Sequence, residues 1–226
     1  KEEAKYSLTS AMLTGTDRLD EDSVGMLIDQ GGGSVEVSFG KFEPNGTINF
    51  ISLDSLDLGT VVLTSKLLNN ISNCKGSENF ATAYQNLLED CIKQMHGLEA
   101  FTGESESIEL FGVGNGISNL ISERGSNKRN HGKSLSYLQI KEICHETIDE
   151  FKAPRGQSEA SYLQLFEPVY EINPKAFEDR FSKLFGMIGY GELMKFYNIP
   201  EIRFCGAGLR YGLFFAHAMN NEFSAD

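Results

Sequence analysis

No stretch of this sequence approaches the ~18 apolar residues that cross a bilayer. The most hydrophobic run, Tyr211 to Met219, is far shorter, and the opening Lys1-Glu2-Glu3 lacks the apolar core of a signal peptide. The chain therefore reads as soluble, with no membrane partner. Positive charge is also scarce, since 20 Lys+Arg stand against 32 Asp+Glu for a formal charge of −12. A protein that grips nucleic acid by counterion release needs the opposite surplus, so a general nucleic-acid binder is excluded. The four cysteines (Cys74, Cys91, Cys144, Cys205) form no CxxC pair, which argues against a zinc site and against a disulfide framework. Reduced, buried thiols in a cytoplasmic protein are the expectation. Neither HExxH nor GxSxG occurs, and the four histidines (His96, His131, His145, His217) show no short metal spacing. Nothing selects a Ser-His-Asp enzyme. The tripeptides at Asn45 and Asn70 fit the glycosylation pattern, but without a secretory signal they are incidental.

There is no internal repeat, low-complexity tract or Pro-rich linker, so residues 1–226 are expected to form one domain. The first residue is Lys rather than Met, and the chain is expected to begin inside a longer protein. With 40% apolar and 11% aromatic residues it can build a packed core. Three strands are predicted at Val24–Asp29, Ser34–Phe39 and Thr47–Leu53, the last two joined through Pro44-Asn45-Gly46 into a hairpin. A helix follows at Leu58–Asn69. Next, Ser77 stands as the N-cap of a helix whose apolar face is Phe80, Tyr84, Leu87, Leu88, Cys91, Ile92 and Met95, ending at Gly97. A strand at Ile108–Phe111 leads through glycines to a helix beginning around Ile117. Ile140, Ile143, Cys144, Thr147, Ile148 and Phe151 mark another helical face, capped by Ser134 or Ser136. Pro174 can open a long helix to about Tyr197, Pro200 opens a strand at Glu201–Cys205, and a helix spans Leu209–Met219. The order is βββαβαβα with inserted helices. An opening hairpin distinguishes this from a doubly wound sheet and matches a ribonuclease H-like half domain.

Glycine clusters end three of these strands. In Asp29-Gln30-Gly31-Gly32-Gly33-Ser34-Val35-Glu36, consecutive glycines let backbone N–H groups approach an anion, and Asp29 is placed to hold a hydrated Mg²⁺ against phosphate oxygens. Glu36 returns along the hairpin to the same opening. A tight turn carrying a solvated Asp is the alternative. The second cluster, Gly112 to Gly116, reads GxGxG rather than GxGxxG, and basic residues (Lys128, Arg129, Lys133) lie where a dinucleotide fold needs an acid. NAD is therefore not expected, which leaves anion binding at a helix N-terminus or close strand–helix packing. Gly206 to Gly208 is a weaker instance of the same pattern. The basic cluster Asn127 to Lys133 is either a solvated loop or a contact for a polyanion.

Taken together, these segments resemble the exopolyphosphatase/guanosine pentaphosphate phosphohydrolase (Ppx/GppA) family of the actin-like, sugar-kinase and Hsp70 ATPase superfold. Glu2-Glu3-Ala4 is similar to the end of its "SGxEEA" segment, and Leu27 to Glu36 to "IDIGGGSTE". Ser55 to Leu63 resembles "SLxLGxVRLT", and Cys205 to Gly212 is similar to the segment ending "GxLREG". Gly112 to Gly116 sits where the family has a "GxGGT" turn.

The resemblance implies an α/β actin-like half domain and a Mg²⁺-dependent phosphoanhydride hydrolase acting on polyphosphate or guanosine pentaphosphate. By position, Glu3 matches the general base for the attacking water. Asp29 matches the acid that organises Mg²⁺, with Glu36 beside it as a second carboxylate. Gly31, Gly32 and Ser34 match the phosphate loop, while Gly112, Gly114 and Arg210 are weaker transfers. Gln30, Asn115, Gly116 and Tyr211 depart from the family pattern. The family's first half domain, with its own phosphate loop, has no counterpart here and is expected upstream, so the isolated chain should be nearly inactive. A non-catalytic polyphosphate or nucleotide sensor, and an actin-like ATPase or sugar kinase, are the alternatives; a homodimer stays open.

Overall fold

The computed structural model describes residues 2–14, 23–43, 47–73, 79–96, 98, 107–123, 131–151 and 181–222. Its centre is a six-stranded sheet in the order β3-β2-β1-β4-β6-β5, built from β1 (Val24–Gln30), β2 (Val35–Phe42), β3 (Ile48–Leu56), β4 (Ile108–Val113), β5 (Ser134–Ser136) and β6 (Glu201–Phe204). The first three strands form an antiparallel meander, and β1, β4 and β6 run parallel to one another. Strand β5, not expected from the sequence, adds an antiparallel edge to β6.

Each predicted strand is present: β1, β2, β3 and β4 run one to three residues further at their C-terminal ends, β2 and β3 begin one residue later, and β6 ends one residue earlier. The central strand β1 reads as an almost unbroken apolar run because both its faces are covered. Val24, Met26 and Ile28 enter the larger of two cores, where they meet helices α2 (Thr60–Asn73), α3 (Asn79–Met95), α4 (Gly114–Glu123) and α5 (Tyr137–Phe151). Leu27 enters a smaller core on the other face with Phe111, Val113 and Cys205. That face is covered by α1 (Glu2–Thr14), against which α7 (Leu209–Glu222) packs.

Helix α1 was not foreseen. Its buried face is built of small residues, Ala4, Ser7, Ser10 and Ala11, together with Leu8 and Met12, and so shows little hydrophobic periodicity. It lies so close to α7 that a side chain at Gly212 would run into the backbone of Tyr6. Ser10 Oγ donates to the Ala207 carbonyl at 2.8 Å. His131 links the two ends: its Nδ1 accepts from the Gly206 N–H at 3.0 Å, so Nε2 carries the proton facing the Thr14 carbonyl at 3.0 Å.

Several expectations are met in detail. On α3, Phe80, Tyr84, Leu87, Cys91 and Met95 are buried, as are Ile140, Ile143, Cys144 and Thr147 on α5. Ser136, not Ser134, caps α5: its hydroxyl accepts from the Gln139 N–H while Gln139 Oε1 accepts from the Ser136 N–H, a capping box. Cys91, Cys144 and Cys205 are free and buried; Cys74 lies outside the described residues. The Pro44-Asn45-Gly46 turn, Ser77, Gly97, Pro174 and the basic residues up to Asn130 also fall outside them. Where a single long helix to Tyr197 was expected, the described part contains a π-helical turn, Met187–Gly191, followed by the short α6 (Glu192–Phe196). Among the described residues no helix is long and apolar enough to cross a membrane.

Candidate functional site

Asp29 stands next to last in β1, where the strand reaches the surface, and it pairs with Glu36 of β2 on one side and Val113 of β4 on the other. Side chains alternate along a strand, so Asp29 shares Leu27's face and points towards α1. There Ser7 Oγ donates to Asp29 Oδ2 at 3.4 Å. Glu3 lies one turn before Ser7 on the same helical face, exposed, with its charge reaching Asp29. The structure therefore places Glu3 and Glu36 where the charge of each acts on Asp29.

Burial, followed by the charge of Glu36, raises Asp29 from the ordinary carboxylate value of 3.8 to about 6; the Ser7 hydrogen bond opposes this, and Glu3 adds to it. Glu36 is held differently. Its Oε1 accepts from the hydroxyls of Ser34 and Ser55, the latter at 3.2 Å from its register partner on β3. Ser7 and Ser55 are the site residues the sequence reading missed. Only the spacing Glu3-x-x-x-Ser7 could have signalled the first. The second stood in the quoted Ser55-Leu56-Asp57-Leu58-Gly59 segment without a role.

The glycine loop has a specific construction. The Gly31 N–H donates to the Ser34 carbonyl at 2.9 Å and closes the turn. The Gly31 and Gly32 carbonyls accept from the N–H groups of Thr60 (3.0 Å) and Val61 (2.9 Å), thereby capping α2. Gly59 explains why the loop can lie so low, because any side chain there would collide with the backbone of Gly32 and Gly33. Gly32 and Gly33 are exposed, and their N–H groups have no partner among the described residues. Of the expected donors, then, Gly31 is used inside the turn, Gly32 is open, and Ser34 commits its hydroxyl to Glu36.

The second glycine cluster divides. Gly112 is not in a loop but inside β4, where a Cβ would stand 2.9 Å from Ile202 and 3.0 Å from Ile117, and its carbonyl accepts from Cys205 N–H. Close packing accounts for that glycine. Gly114 opens α4 with φ +87°, a left-handed conformation that side chains disfavour, and a Cβ there would stand 3.0 Å from Asp29 Oδ1. It thereby sets the N-terminus of α4 beside the carboxylates. Arg210 and Tyr211 are exposed on α7.

Among the described residues no three His, Cys, Asp or Glu side chains are grouped to hold a metal ion by themselves. Mg²⁺ does not require such a cage, since it commonly takes one or two carboxylates, waters and phosphate oxygens. A partly buried Asp29 whose ionised form is disfavoured, beside a second carboxylate, fits a site completed by a divalent cation.

No protein-family model and no curated protein matches this sequence. Solved structures do match. The Ppx/GppA family member from Aquifex aeolicus is 19% identical with a TM-score of 0.67, over 97% of this chain and 63% of that one. An exopolyphosphatase-like protein is 16% identical with a TM-score of 0.62, over 96% of this chain and 64% of that one. An exopolyphosphatase from Cytophaga hutchinsonii is 14% identical with a TM-score of 0.55, over 97% and 64%. The chain has the fold of these proteins, the α/β actin-like ATPase type, and spans less than two thirds of their length.

Proposed function

We propose that this chain forms one wall of a phosphoanhydride hydrolase site that removes a terminal phosphate from polyphosphate or guanosine pentaphosphate. The observation that carries the reading is the pairing of Asp29 and Glu36 beside a glycine loop whose exposed Gly32 and Gly33 N–H groups have no partner among the described residues. The likeness in fold to exopolyphosphatases supports it.

Hydrolysis of a phosphoanhydride needs a positioned water, donors to the equatorial oxygens and neutralised charge. Gly32 and Gly33 donate to those oxygens, helped by the N-terminus of α4 at Gly114. Asp29, with Glu36, would hold Mg²⁺, which supplies the neutralising charge. Glu3, exposed at the start of α1, accepts the proton of the attacking water. Ser34 and Ser55 keep Glu36 turned towards the opening. Gln30 does not obstruct the loop, because its side chain points into the core behind it. In this reading the −12 charge suits the site, since phosphate is held by backbone donors and a cation rather than by surface lysines.

The test is phosphate release from polyphosphate and from guanosine pentaphosphate by the full-length protein with Mg²⁺. Glu3→Gln and Asp29→Asn are expected to abolish it, and turnover unaffected by both would overturn the mechanism. Binding of either substrate without turnover in the unmodified protein would favour a sensor on the same fold, the reading suggested by the exposed Asn115 and Tyr211. ATP-dependent phosphorylation of a small molecule would favour a kinase instead.

A further inference from the structure

On the side of the sheet that carries the larger core, a cavity of about 400 Å³ opens between α3, α5 and the π-helical turn. Tyr84 and Leu88 of α3, Ile148 of α5 and Met187 of the π-helical turn give it apolar walls. Size and lining are those of a small-molecule site, in which a few polar groups orient a mostly apolar ligand.

The polar groups here are incompletely paired. Glu192, the first residue of α6, lines the cavity although it is only 9% exposed. Its Oε2 lies 3.6 Å from Nζ of Lys195, an exposed side chain that borders a separate, smaller cleft. Its Oε1 has no partner among the described residues. The polar side chains buried nearby are committed elsewhere: the Tyr84 hydroxyl donates to the Leu184 carbonyl at 2.9 Å, and the Cys144 thiol to the Lys183 carbonyl at 2.9 Å. A carboxylate withdrawn from water calls for a charged or hydrogen-bonding partner. At the rim, Lys141 and His145 stand one turn apart on the exposed face of α5 and border the same cavity, yet neither pairs with Glu192. One cavity therefore holds an anion at its base and a cation at its mouth without joining them.

We propose that this cavity binds a small zwitterion with an apolar body, the chemistry of a free amino acid with an aliphatic or aromatic side chain. Its ammonium group donates to Glu192 Oε1, its carboxylate meets Lys141, and its side chain lies against Tyr84, Leu88, Ile148 and Met187. The site is separate from the carboxylates at Asp29 and Glu36, and it does not depend on the reaction proposed above.

The test is calorimetric titration of the full-length protein with L-phenylalanine and L-leucine, each beside the two analogues that lack one charge: phenethylamine and 3-phenylpropionate, 3-methylbutylamine and 4-methylpentanoate. At least one amino acid is expected to bind one to one, and its analogues roughly tenfold more weakly or worse, since each forfeits a charge-assisted contact. Glu192→Gln, which keeps the shape of the side chain, is expected to weaken binding roughly tenfold or more, and Lys141→Ala roughly two- to fivefold. Ala81→Trp, at an exposed position of α3 that lines the cavity, fills the space and is expected to abolish binding. Failure of both amino acids to bind overturns the proposal, as do single-charge analogues that bind equally well or an affinity unchanged by Glu192→Gln. Should Glu192→Gln fail to fold, Ala81→Trp decides: loss of binding supports the site, and binding retained overturns it.

Discussion

Asp29 stands directly opposite Glu36 in the β1–β2 ladder, and each is restrained by serine from another element: Asp29 by Ser7 of α1, and Glu36 by Ser55 of β3 as well as by Ser34 in the loop. Like charges facing one another across a ladder destabilise the fold, so the site is a local weakness that a bound cation would relieve.

A pH dependence follows from that placement. The Asp29 carboxyl titrates at about 6 in the folded chain against 3.8 unfolded, a raised value, so its cost is absent below about pH 4 and develops as pH rises through 6. Asp29→Asn is expected to be more stable than the wild type at pH 8 by about 2–3 kcal/mol, with the difference vanishing near pH 4. Urea denaturation across that range measures it, and a difference that does not change with pH contradicts the assignment.

Cation binding should erase the same cost. Millimolar Mg²⁺ at pH 8 is expected to raise the melting temperature of the wild type by several degrees and that of Asp29→Asn by little or nothing. Equal shifts in the two proteins would place the cation elsewhere.

Gly59 and Gly33 make a matched pair of tests. A methyl group on Gly59 meets the backbone of Gly32 and Gly33, which cannot rotate away, whereas a Cβ on Gly33 has nothing within 4 Å. Gly59→Ala is expected to cost about 3 kcal/mol and Gly33→Ala less than about 1 kcal/mol. Thermal or chemical denaturation ranks them; comparable losses would mean the loop does not rest on Gly59.

His131 offers a test remote from the carboxylates. Replacing it with Ala leaves the Gly206 N–H and the Thr14 carbonyl to solvent, an expected loss of about 1 kcal/mol with the circular dichroism spectrum unchanged. No change in stability would show that the ring is not needed to join α1 to the turn before α7.

Periodicity made α3, α4 and α5 legible in the sequence, because each lays a broad apolar stripe on the larger core. It failed for α1, whose approach to the sheet and to Gly212 demands small residues with no amphipathic signature. Strand β5, with three residues, is too short to carry a pattern. The π-helical turn depends on contacts with Gln30 across 159 positions of sequence, which no local pattern encodes. At the site, the glycines and acids could be read because their residue types are chemically distinctive. Ser7 and Ser55, which hold Asp29 and Glu36, could not, since serine is common everywhere and only register and helix placement give these two their roles.

The capping of α2 has a wider consequence. A peptide loop normally shows water both signs of dipole, carbonyl oxygens as well as amide protons. Here the Gly31 and Gly32 oxygens are committed to the Thr60 and Val61 amides, while the Gly32 and Gly33 amide protons have no partner among the described residues. A bias towards anions then needs no charged side chain in the loop, because a neighbouring helix has taken up two of the carbonyl oxygens of an otherwise neutral backbone.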